Sequence, residues 1–255
     1  MNSLPVSGVV ITLNEAANIR RCLQSLAFCA ERLIIDSGST DDTTDIARSM
    51  GARVIHNDWP GFGRQKQFGV AQAGHDWVLC LDADEWVSDE LAAAIAGVFA
   101  TGPSARIYSF PRRNIFLGRP LRFGGGYPDR SPRLFHRGHA QWSDRMVHET
   151  VETSETVHSL QADLMHDTAP VLEHALIKWT RYTAMQAQDM YDSGVAPRLY
   201  NVFLNPWARF LKLYVLKQGF RDGVAGFALA ACSGFFCFFK YLKLYQLHAA
   251  GRSKQ

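Results

Sequence analysis

Trp77-Val78-Leu79-Cys80-Leu81-Asp82-Ala83-Asp84-Glu85 runs five apolar residues straight into a cluster of carboxylates. An apolar run of this length fits a strand buried on both faces, and its carboxyl end is where ligands of open α/β sheets bind. Asp82 and Asp84 held at one place repel each other unless a cation neutralises them. A hard divalent ion, Mg2+ or Mn2+, meets that need and keeps positions for diphosphate oxygens. An isolated acidic triplet is weak evidence, because such triplets are common on loops. The strands around it decide the reading.

Upstream, Val6 to Leu13 reads as a strand, and Asn14-Glu15 opens a helix whose apolar positions Ile19, Leu23 and Leu26 recur every three or four residues. Arg32 to Asp36 is a second strand. Ser37-Gly38-Ser39-Thr40-Asp41 then turns and caps a helix from about Asp42 to Met50, with acidic residues in its first turn. Arg53 to His56 gives a third strand, Phe68 to Ala73 a helix after a Gly-rich turn, and Ser88 caps a helix to Ala100. Strands alternating with helices predict an α/β fold with a mainly parallel, Rossmann-like sheet. Three strand ends, at Thr12 to Glu15, Asp36 to Asp41 and Asp82 to Glu85, should then meet in one crevice.

Taken together, V-V-I-T-L-N-E, L-I-I-D-S-G-S-T-D-D-T and W-V-L-C-L-D-A-D-E resemble, in order and spacing over about residues 6–90, the nucleotide-binding half of family 2 glycosyltransferases, which have the GT-A fold. The resemblance implies that Thr12, Asn14, Glu15 and Asp36 hold the uracil and ribose of a UDP-sugar. It places Asp82, Ala83 and Asp84 at the ribose and diphosphate, with Asp84 the main metal ligand and Asp82 nearer the ribose and a metal-bound water. Many members carry a second Asp where this chain has Ser37. Gly61 to Lys66 could bring the Lys66 cation to the nucleotide, or be a turn with solvated basic residues. His166 is a further candidate metal ligand, as a His from a C-terminal loop is in some GT-A enzymes.

Sugar transfer also needs a base to take the proton of the attacking hydroxyl. Asp144 to Glu149 resembles a branch of the family in which a His-Glu pair follows a short strand, so Glu149 is the expected base, His148 its orienting or diphosphate contact, and Asp144 the reserve. In the same branch Gly124 to Phe135 forms the acceptor wall, where Arg130 and Arg133 either meet anionic groups or serve as structural ion pairs. W-x-x-R-x-V-H-E and G-F-R-D-G-x-x-G-F (Gly219 to Phe227) resemble bacterial lipopolysaccharide inner-core β-1,4-glucosyltransferases. The implied activity is inverting, metal-dependent transfer, with glucose the implied sugar, from a UDP-sugar to a phosphorylated heptose acceptor. Polyprenyl-phosphate transfer is the nearest alternative. Nucleotidyl transfer is a different class, and the Gly-rich phosphate loop it needs is missing from Thr12 to Ala17. A membrane-binding module with a vestigial nucleotide pocket is a third class.

The 255 residues carry a net charge of only +3, but unevenly. Residues 1–197 hold 18 Lys and Arg against 23 Asp and Glu, whereas 198–255 hold nine against one, with 13 of the 30 aromatic residues. Residues 207–221 alternate basic and apolar positions as an interfacial helix does, and Gly223 to Phe239 is uncharged for 17 residues. An anionic membrane surface contacted through 207–245 is the expected partner. Nucleic acid is disfavoured because the basic residues flank long apolar runs, and a homo-oligomer remains open. A break at Pro197 and a last helical region from Asn205-Pro206 complete the pattern. The expected organisation is a catalytic domain at 1–170, with a nucleotide half (1–100) and an acceptor half (101–170), followed by a helical membrane-associating region at 171–255. Five cysteines without a CxxC pair read as reduced core residues, and with no basic leader at Met1 to Gly8 the expected location is cytoplasmic, peripheral on the inner membrane.

Overall fold

The computed structural model describes residues 3–144, 149–169 and 172–252. The chain forms two compact units, Met1–Arg112 with Asp129–His166, and Arg113–Pro128 with Asp167–Gln255.

The first unit is built on a mixed sheet flanked by helices. Strands β1 (Leu4–Thr12), β2 (Cys29–Asp36), β3 (Arg53–His56) and β4 (Trp77–Asp82) are all parallel and lie in the order β3-β2-β1-β4. Helices α1 (Ile19–Ser25), α2 (Thr43–Ser49) and α3 (Phe62–Gln72) connect them. The β1 connection leaves toward β2, whereas the chain re-enters on the other side of β1 at β4, so the order reverses between β1 and β4 and opens a crevice there.

Period-two alternation divides the apolar residues between two cores. Val6, Val10, Ile34, Leu79 and Leu81 pack with Ile19, Leu23 and Leu26 on one face, and Val9, Ile11, Leu33, Ile35, Val78 and Cys80 pack with Val70 on the other. Gly69 lets α3 lie close to the sheet: a Cβ there would stand 2.5 Å from Val9 Cγ1. Beyond β4 the sheet turns antiparallel through β8 (Asp129–His136) and β6 (Ile107–Phe116). The short β5 (Glu85–Val87), which precedes α4 (Asp89–Thr101), pairs antiparallel with β12 (Leu164–Ala169). Ser88 caps α4 by accepting from Leu91 N, as its sequence position predicts.

Two helix starts differ from the sequence reading. Asn14 adopts a left-handed conformation (φ 56°) and α1 begins only at Ile19, because residues 14–18 form a turn bonded to the β2 loop. Helix α3 begins at Phe62, six residues before the expected Phe68, which puts Gln65 and Lys66 on a helix instead of in a turn.

In the second unit the end of β6 and β7 (Arg119–Pro120) form a hairpin around Leu117 and Gly118, both at positive φ as a two-residue turn of this kind requires. Helices α5 (Leu172–Asp192), α6 (Leu199–Leu211) and α7 (Gly223–Arg252) follow, with α7 packed on both of the others. Phe116 stacks on Trp179, which meets Phe236 edge-on. The Asp222 carboxylate accepts the backbone N–H groups of Arg122 and Phe123.

Pro206 lies inside α6 instead of starting it; as the eighth residue of the helix, its ring deletes one N–H without ending the pattern. The expected amphipathic helix at 207–221 is likewise divided: α6 ends at Leu211, a π-helical turn spans Lys212–Leu216, and a 3₁₀ segment covers Gly219–Asp222. Among the described residues one helical stretch, Gly219–Ala250, is long and apolar enough to cross a membrane, and 22% of its apolar window is buried. All five cysteines are free thiols, with Cys22, Cys29 and Cys80 buried.

Candidate active site

Strand register brings the polar ends together: Ile11 pairs with Asp82 across β1 and β4, and Thr12 pairs with Asp36 across β1 and β2. The loops beyond them are tied to each other. Asp36 accepts from Gly38 N and Ser39 N, both at 2.9 Å, and from the Ser39 hydroxyl. Asn14 N donates to Ser39 Oγ, and Asn14 Oδ1 accepts from Thr40 N at 2.8 Å. Glu15 N donates to Thr43 Oγ1, while its carboxylate accepts from Asn18 Nδ2. Thr12 Oγ1 is buried without a hydrogen-bond partner among the described residues.

Behind Asp82 lies a chain of ion pairs in which Lys66, Arg133 and Glu85 are buried. Lys66, wholly buried, sets its ammonium 2.9 Å from Asp82 Oδ1 and 2.7 Å from Glu149 Oε1. Arg133 Nη2 reaches Asp82 Oδ2 at 3.3 Å and Glu85 Oε1 at 2.8 Å, and Arg112 joins Glu85 to Asp129. Glu85 Oε2 also accepts from Asp82 N, which closes the D-A-D-E turn on itself. Burial pushes the Asp82 carboxyl up, but Lys66 and Arg133 outweigh it and hold it well below the usual carboxylate range. The Trp142 ring lies against both cations, 4.8 Å from Lys66 Nζ and 5.6 Å from the Arg133 guanidinium carbon.

Arg133 owes its place to an irregularity in the sheet. Across β6 and β8, Leu134 pairs with Tyr108 and Pro132 with Ser109, so Arg133 is the extra residue of a bulge, a device that re-aims a side chain. Its Nε and Nη1 are buried without hydrogen-bond partners among the described residues.

The β5–β12 pairing sets His166 opposite Glu85 and brings His166 Nε2 to 3.4 Å from Asp84 Oδ2. Among the described residues no cluster of three or more His, Cys, Asp and Glu side chains could cage a metal. A carboxylate beside an imidazole nevertheless fits a divalent ion that takes few protein ligands and completes its shell with diphosphate oxygens.

The structure therefore brings Thr12, Asp36, Asp82, Ala83, Asp84 and His166 to the strand ends, and joins Glu149 to Asp82 through Lys66. Lys66 is wholly buried, not solvated, with its ammonium against Asp82 at the β4 end. Arg133 serves Asp82 and Glu85, and Arg130 is exposed, bonded to Leu160 O and Gln161 Oε1. Asp144 is exposed and paired with Arg64. His148 lies outside the described residues. Glu85 and Trp142 escaped the sequence reading: the carboxylate directly after the acidic pair was a signal for the first, whereas the second reaches the site only through long-range pairing.

An open α/β crevice whose strand ends carry acidic and hydroxyl groups is the class of site at which such sheets bind ligands. The chain belongs to glycosyl transferase family 2, whose family model matches residues 7–148, and it is a glycosyltransferase. It is 30% identical over 253 residues to the lipopolysaccharide core biosynthesis glycosyltransferase LpsC of Rhizobium meliloti (strain 1021), covering 96% of this chain and 94% of that one. An uncharacterized glycosyltransferase of Rickettsia bellii (strain RML369-C) is 28% identical over 255 residues, 95% of this chain and 86% of its own. Among solved structures, glucosyl-3-phosphoglycerate synthase from Mycobacterium tuberculosis, in complex with Mn2+, UDP-glucose and phosphoglyceric acid, is 28% identical over 42% of this chain and 44% of that one, with a TM-score of 0.37. S. aureus TarS 1–349 aligns over 100% of this chain and 92% of that one, at 13% identity and a TM-score of 0.47.

Proposed function

We propose that the chain is an inverting, metal-dependent glucosyltransferase that moves glucose from UDP-glucose to a heptose of the lipopolysaccharide core, working on the cytoplasmic face of the inner membrane. The observation that carries the reading is the meeting of the β1, β2 and β4 ends at one sheet edge, with Glu149 linked to Asp82. The near full-length similarity to a lipopolysaccharide core transferase supports the acceptor. Residues 1–170 are the catalytic part and 171–255 the membrane-associating part.

In this reading Thr12, Asn14, Glu15 and Asp36 receive the uracil and ribose; an ionised carboxylate has acceptor sites beyond those that Asp36 gives to its own turn. Asp82 and Ala83 line the ribose and diphosphate, next to the Thr12 and Asp36 strand ends. Asp84 and His166 would hold the divalent ion, which when bound offsets the charge of the departing diphosphate. Asp82, expected as a second metal ligand, gives its charge to Lys66 and Arg133 and is kept here for the ribose side. Glu149 takes the acceptor proton as the acceptor oxygen attacks the anomeric carbon. The bond from that carbon to the diphosphate breaks on the opposite face and UDP leaves, so an α-linked donor gives a β-linked product. The exposed Arg130, with His148, meets the phosphorylated acceptor.

Membrane contact rests on the second unit. Leu199, Phe203, Leu204, Trp207 and Leu211 recur at helical spacing along α6, all exposed, Trp207 at 70%, beside the cations Arg209, Lys212, Lys217 and Arg221. An apolar face edged with basic residues suits the interface of an anionic leaflet.

Incubation of the full chain in detergent with Mn2+, truncated core lipopolysaccharide and, in turn, UDP-glucose, UDP-galactose and UDP-N-acetylglucosamine tests the reading. Product from UDP-glucose alone is expected. Transfer to polyprenyl phosphate instead of core, or no transfer from any donor, overturns it.

A further inference from the structure

Helix α3 carries three consecutive residues that each tie it to a different part of the site. Gln65 Nε2 donates to Ser37 Oγ, just past the end of β2, and Gln65 Oε1 accepts from Asn57 Nδ2. Gln67 Oε1 accepts from Trp142 N at 2.9 Å. Between them, the Lys66 ammonium stands between Asp82 and Glu149 with no exposed surface. Taking an ammonium wholly out of water is costly, and a lysine in such a place is held by paired charges. A lysine needed only to fill the core would be replaced at little cost by an apolar residue of similar size.

We propose that Lys66 is a positioning residue for sugar transfer: its ammonium fixes the Glu149 carboxylate relative to Asp82, so that the base keeps one geometry with respect to the donor. This rests on the reading of Glu149 as base and Asp82 as donor-side carboxylate. Lys66 has two carboxylates as partners and one short span to bridge. Trp142, itself anchored by Gln67, covers the ammonium and keeps it from swinging away from them. The device links two carboxylates, one at the end of β4 and one past β9 (Gln141–Trp142), elements far apart in sequence. Misplacement of a reacting group by about 1 Å costs about 100-fold in rate, which sets the scale of the effect.

The test measures steady-state transfer and UDP-glucose binding for the full chain in detergent, with Lys66→Met, Lys66→Arg, Glu149→Gln and the Lys66→Met/Glu149→Gln double variant, each normalised to folded protein by thermal unfolding. Lys66→Met should lower kcat roughly 100-fold while the donor Kd stays within about threefold of wild type. Lys66→Arg, which keeps the charge, should recover a substantial part of kcat. The double variant should be no slower than Glu149→Gln alone, because the lysine acts through the glutamate. A kcat within threefold of wild type in folded Lys66→Met, a loss confined to donor affinity, or full additivity in the double variant overturns the proposal while leaving Glu149 as base. Wild-type rates in Glu149→Gln would overturn both readings together. Should Lys66→Met not fold, Lys66→Arg and a Lys66→Arg/Glu149→Gln double variant decide: an unchanged donor Kd with kcat reduced and non-additive with Glu149→Gln supports the proposal, and an additive loss sinks it.

Discussion

His166 Nε2 and Asp84 Oδ2 lie 3.4 Å apart because β12 returns antiparallel to β5 directly beside the acidic turn. The two side chains set an imidazole nitrogen beside a carboxylate, whereas the neighbouring Asp82 is paired with Lys66 and Arg133. Chelation with EDTA is therefore expected to abolish transfer and Mn2+ to restore it. Asp84→Ala should lower activity by more than 100-fold at any Mn2+ concentration, and His166→Ala should raise the Mn2+ needed for half-maximal rate about tenfold. Activity titrations against Mn2+ check both.

Glu31 on β2 latches the far end of the sheet. Its carboxylate accepts from Ser7 Oγ, from Gly74 N at 2.7 Å and from Arg53 Nη1 at 2.9 Å. Burial pushes its pKa up, but these partners outweigh that and leave it below its ordinary value of 4.5. The folded state therefore binds the Glu31 proton less readily than the unfolded chain does. Its stabilisation is fully present above the ordinary value and is lost as pH falls through the lowered one. Thermal unfolding between pH 7 and pH 3 should show wild type losing part of its margin over Glu31→Gln below about pH 4.5, with the variant less stable by about 1–3 kcal/mol at pH 7.

The exposed α6 face predicts binding to vesicles. Sedimentation with vesicles containing anionic lipid should capture the full chain, 0.5 M NaCl should weaken capture, and Trp207→Ser with Phe203→Ser should reduce it at least tenfold. Equal capture by the double variant would remove α6 from the contact.

What could be read beforehand follows the range of the interactions involved. Strands β1, β2 and β4 are legible because buried parallel strands are continuous apolar runs, and their ends are legible because carboxylates and hydroxyls interrupt those runs abruptly. Ser88 is legible as a cap because capping is local. Asn14 misleads because a left-handed residue can open a turn with the same side chain that would cap a helix. Pro206 misleads because a proline near a helix start and a proline tolerated within one look alike in sequence. The burial of Lys66, the bulge at Arg133 and the approach of His166 to Asp84 all depend on pairings between segments far apart in the chain, which no local pattern encodes.

In the proposed reaction Glu149 removes the acceptor proton. Single-turnover transfer of labelled glucose from UDP-glucose to truncated core, wild type against Glu149→Gln at matched donor saturation, tests it most directly. The expected rate is at least 100-fold lower in the variant, with donor binding unchanged. Transfer by Glu149→Gln at the wild-type rate would contradict it.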